Sequence, residues 1–80
     1  MEFTITETRS NGFTIQDNEF KEYDIHYNDY LDIVTIMKLP KIESENYIFV
    51  DYMHIGGRQH LYSDDNIKAI GDYISDFENR

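Results

Sequence analysis

The chain has no cysteine, which removes a disulfide framework, a thiolate nucleophile and Cys-ligated zinc, and leaves stability to packing, as in a reducing cytosol. No apolar run comes near the roughly 20 residues that cross a bilayer. Met1 leads into the alternating Glu2-Phe3-Thr4-Ile5 with neither a basic n-region nor an apolar h-region, so a soluble, cytoplasmic protein is expected. Cations are also scarce. Seven Lys and Arg against 16 Asp and Glu give a formal charge of -9, which opposes direct binding to nucleic acid or to an anionic membrane surface and points to a basic partner. A single Ala beside eleven Ile, seven Tyr and six Asn is the bias of AT-rich coding, common in low-GC bacteria and their phages.

What is present suffices for one small core. Eighty residues make a single domain, 1–80, and hydrophobic residues at 40% with aromatics at 15% supply enough apolar material to order it. Phe3 and Ile5 share one face of an alternation over 2–8, and Phe13 and Ile15 do so after Ser10-Asn11-Gly12. Asn-Gly predicts a primed hairpin turn between them, in a loop slightly longer than two residues. A third strand over 20–27 sets Tyr23, Ile25 and Tyr27 against Glu22, Asp24 and His26. Residues 31–37, apolar on both faces through Ile33, Val34 and Ile36, read as the buried central strand. Pro40 opens a connection, and 47–55 form a fifth strand with Ile48, Val50, Tyr52 and His54 opposing Phe49, Asp51 and Met53, closed by Gly56-Gly57.

Ser63 is an N-cap, Asp64 and Asp65 complement the helix dipole, and Ile67, Ile70, Ile74 and Phe77 recur at helical spacing over about 64–78. The expected fold class is therefore α+β: a four- or five-stranded antiparallel β-sheet with one C-terminal amphipathic α-helix packed on one face, the other face staying open.

Three features carry candidate chemistry. Asp17, Glu19, Glu22, Asp24, Asp29 and Asp32, offset only by Lys21, leave a local charge of -5, and on an alternating strand Glu22 and Asp24 stand roughly 7 Å apart. A carboxylate row of that pitch resembles the phosphate spacing of a DNA strand, while its plainer reading is a solvated face that keeps the domain soluble. Seven tyrosines exceed what the core needs, and Tyr27 and Tyr30 lie beside the acids as partner-binding anchors. Gly56-Gly57-Arg58 with His60 precedes the helix and is a candidate anion-binding loop, although its spacing fits no phosphate-loop fingerprint. No cofactor, metal site or catalytic constellation emerges, and an enzyme is not expected.

In general character the chain is similar to small acidic phage-encoded anti-defence proteins, such as anti-CRISPR proteins. It shares no motif with them, so no residue takes a role from the likeness. The function expected is a non-catalytic phage or mobile-element inhibitor that covers the basic surface of a nucleic-acid-binding host protein. Roughly 25 Å of duplex presents about 15 phosphates, more than the nine net charges here, so mimicry of DNA is partial and aromatic contacts complete it. The alternative is an interaction or immunity-type module that binds its partner, or a second copy in a homo-oligomer, through a strand edge.

Overall fold

A computed structural model describes residues 2–80. Five strands, β1 (Phe3–Arg9), β2 (Gly12–Asp17), β3 (Glu22–Asn28), β4 (Ile33–Lys38) and β5 (Ile48–His54), form an antiparallel meander in chain order. A single 3-10 turn, Arg58–His60, leads into helix α1 (Asp64–Glu78). The register sets Phe13, Ile25 and Ile36 in one row across β2, β3 and β4, with Ile15 beside Tyr23 and Tyr27 beside Val34. All seven are buried against Ile70 and Ile74 of α1, with Ile67 and Phe77 at the rim. The Ser63 side chain accepts from the Asn66 N–H and starts the helix as its N-cap position predicts.

The central strand is β3, not the strand at 31–37. Strand β4 lies one place from the edge, and its doubly apolar pattern has another cause: Val34 and Ile36 enter the core, whereas Ile33 and Met37 face away from the helix and are half-buried. The first hairpin also differs from expectation. Arg9 pairs with Gly12, so the loop is the two residues Ser10-Asn11, and neither they nor Gly12 have a positive φ. Gly12 is required for space instead, because a Cβ there would lie 1.9 Å from the Ile25 carbonyl oxygen of β3.

The β2–β3 connection takes residues 20 and 21 out of the expected third strand. The Asp17 carboxylate accepts from the Glu19 and Lys21 N–H groups, and Phe20 closes the turn at φ 65°, the left-handed position where glycine is favoured. Its ring is 78% exposed and recovers little burial. An L side chain in this conformation costs about 1–2 kcal/mol, of which glycine's extra chain entropy takes part back. Phe20→Gly is therefore expected to stabilise the domain by about 1 kcal/mol, read as a rise of roughly 4–8 °C in Tm.

Both edge strands are bulged. Ile5 pairs with Ile15 and Glu7 with Thr14, leaving Thr6 as the extra residue of β1. Asp51 pairs with Ile36 and Phe49 with Met37, leaving Val50 as that of β5. The second bulge breaks the expected alternation of β5: Val50 enters the core, while Phe49 and Tyr52 come to share the outer face with ring centroids 6.5 Å apart.

Candidate protein-binding surface

The sheet face turned away from α1 is covered by no other element of the described residues. Cross-strand pairing arranges it in rows, Thr14–Asp24–Met37–Phe49 and Gly12–His26–Thr35–Tyr52, so the face is polar on β2 and β3 and more apolar on β4 and β5, where Thr35 and His54 interrupt. Phe49 and Tyr52 are each 53% exposed, an unusual level for large side chains on the flat of a sheet.

The structure disperses the acidic segment. Glu22 and Asp24 stand on the outer face with His26, but Asp24 accepts from the Thr14 hydroxyl at 2.6 Å and faces Arg9 at 3.4 Å. Asp17 is buried and holds the β2–β3 turn. Glu19 pairs with Lys21 at 3.0 Å, and Asp29 with Arg58 at 3.0 Å. Asp32, at φ 53°, accepts from the Tyr27 hydroxyl and from the Gly56 and Gly57 N–H groups at 2.8–3.0 Å. These bonds, that from Tyr27 foremost, hold its carboxyl below the usual carboxylate range. Tyr27 itself is a core residue with its hydroxyl committed to Asp32, whereas Tyr30 is 95% exposed. Of the eight residues singled out, Glu22 and Tyr30 alone make no side-chain hydrogen bond or ion pair among the described residues.

The glycine loop is an anion cradle already filled from within. The Gly56 and Gly57 N–H groups that could receive a phosphate point to Asp32. Arg58 donates to Asn11, to both Asp29 oxygens and to the Ser10 carbonyl, tying the β1–β2 and β3–β4 turns together, while His60 is exposed and its backbone carbonyl accepts from Asn66.

One cluster escaped the sequence reading. Glu78 sits in the last turn of α1, where the helix dipole disfavours an acid, and two lysines, one from β4 and one from the β2–β3 connection, compensate. Its carboxylate accepts from Lys38 at 2.7 Å, from Lys21 at 3.4 Å and from the Tyr23 hydroxyl. Burial opposes ionisation of Glu78, but the hydrogen bonds from Lys38 and Tyr23 and the two ammonium charges outweigh it and hold the carboxyl down to about 2. Burial, and then the bond to Glu78, pushes the Tyr23 hydroxyl up.

Because the folded carboxyl ionises below its ordinary 4.5, its contribution to stability is complete above that pH and is lost as pH falls from 4.5 towards about 2. Thermal melts across this window should show Tm of the wild type falling more steeply than that of Glu78→Gln. Parallel curves would mean that the cluster adds nothing on folding.

These pairings shape the outward field. Four of the seven cations, Arg9, Lys21, Lys38 and Arg58, are held by the chain's own carboxylates. Asp64, Asp65, Asp72 and Asp76 on the exposed side of α1 make no ion pair among the described residues, with Lys68 and Arg80 the nearest cations in sequence. Their spacing of seven and four from Asp65 was a readable helical stripe, overshadowed by the denser 17–32 segment. Comparison of the chain with protein-family models, with curated proteins and with solved structures finds no match.

Proposed function

We propose that this chain is a non-catalytic acidic binding protein, of the phage or mobile-element inhibitor type, that blocks the basic nucleic-acid-binding surface of a bacterial protein as a partial DNA mimic. The observation that carries the reading is the open sheet face, where exposed Phe49 and Tyr52 on β5 lie across β4 from Glu22 and Asp24 on β3, in a chain of charge -9. Aromatic anchors beside acids suit a basic protein surface, since apolar burial supplies affinity and charge supplies steering and specificity. Edge pairing is the weaker alternative, because bulges at Thr6 and Val50 disrupt both free edges and two copies would each bring nine negative charges together.

The test is capture from a low-GC bacterial lysate, identification of the bound protein by mass spectrometry, and competition between this chain and DNA for that purified partner. Mutually exclusive binding that weakens steeply with salt is expected. A ternary complex with DNA, or affinity unchanged by salt, would overturn the inhibitor reading.

A further inference from the structure

Resting on the acidic-binder reading, we infer that the docking site is the outer face of β4 and β5, and that its occupant is a polypeptide segment with apolar side chains at its centre and Lys or Arg at its flanks. The apolar residues of the face are Ile33, Met37, Phe49 and Tyr52, with Thr35 between the first two. Met37 and Phe49 are paired neighbours, and the Phe49 and Tyr52 rings lie 6.5 Å apart, so these three make one patch, with Ile33 beyond Thr35 on the same face of β4.

Acids border the face along β3 and lie in the connection at its Lys38–Ile48 end. Asp24 stands next to Met37 across β3, with Glu22 one step along the same face. Glu43 and Glu45 lie exposed in the connection that runs into β5, where Lys41 is the only cation. An apolar patch with a carboxylate rim on these two borders complements an apolar segment bounded by cations. A second copy would set rim against rim with like charge, and an uncharged apolar segment would leave the rim without a partner.

Three synthetic peptides of equal length serve as probes: a central Leu-Thr-Leu-Thr-Leu flanked by three lysines on each side, the same centre flanked by glutamates, and oligolysine. Affinity is measured by titration into the isotope-labelled protein, and the site is mapped from backbone amide shifts. The Lys-flanked peptide is expected to bind at least tenfold tighter than either control and to shift residues of β4 and β5. Phe49→Ser and Tyr52→Ser, each checked by its thermal melt, are expected to weaken it about tenfold.

Equal binding of oligolysine, with shifts on α1 at Asp65, Asp72 and Asp76, would overturn the docking face while leaving the acidic-binder reading intact. No binding of any cationic peptide would overturn both. Shifts of the same β4 and β5 amides on concentrating the protein alone, with a sedimenting dimer, would replace the basic segment by a second copy.

Discussion

Ending the chain at Ser63 is expected to abolish cooperative unfolding. Helix α1 is the main cover of the inner face of the sheet among the described residues, joined by Leu61 and by Tyr62 against Phe13, and Ile70 and Ile74 are buried there as completely as Phe13, Ile25 and Ile36 beneath them. Withdrawing Ile67, Ile70, Ile74 and Phe77 forfeits on the order of 6–10 kcal/mol of burial, which equals or exceeds the whole stability expected at this size. The loss also strands Lys38 and the Tyr23 hydroxyl, whose acceptor is Glu78, and leaves Lys21 with Glu19 alone. A circular-dichroism melt of residues 1–63 should slope without a transition; a cooperative melt would show that the sheet stands without its helix.

Gly12→Ala is expected to be the most damaging single substitution outside the buried side chains, by about 3 kcal/mol or more. A methyl group 1.9 Å from the Ile25 carbonyl oxygen must push β2 from β3, and neither strand can yield easily. Gly12 pairs with His26 on one side and Arg9 on the other, and its own carbonyl accepts the Tyr62 hydroxyl at 2.9 Å. The two reasons for a glycine here can be separated by Gly12→Asn. If a left-handed φ were the requirement, Asn would be tolerated far better than Ala. Since space is the requirement, both should lower the denaturant midpoint severely, and a mild Asn variant would restore the primed-turn explanation.

The functional variants change with the structure too. Charge reversal at Asp24 is not a neutral surface change, because it removes the acceptor of the Thr14 hydroxyl and sets a second cation against Arg9. Likewise Tyr27→Ala would report on the core and on the Asp32 staple before it reported on any partner. Phe49, Tyr52 and Tyr30 are among the exposed aromatics whose removal leaves the buried core intact.

Much of the architecture was legible because its signals are local. Alternation over Glu22–Asn28, the Ile67-Ile70-Ile74-Phe77 stripe and the Ser63 cap each arise within one element, from periods of 2 and 3.6 that the chain carries by itself. An antiparallel α+β arrangement of four or five strands and one helix followed from these. Tertiary structure decided whatever depends on which strand lies beside which. The bulge at Val50 turned Phe49 and Tyr52 to one face, and the neighbour across β3 made Gly12 a steric necessity. The fate of each carboxylate belonged to the same class: Asp32 found its donors 24 and 25 residues away, Glu78 found its lysines 57 and 40 residues away, and those partners determined which of the 16 acids remained for a partner. Composition determines total charge, but free charge is a property of distances between residues remote in sequence, and folding alone sets those.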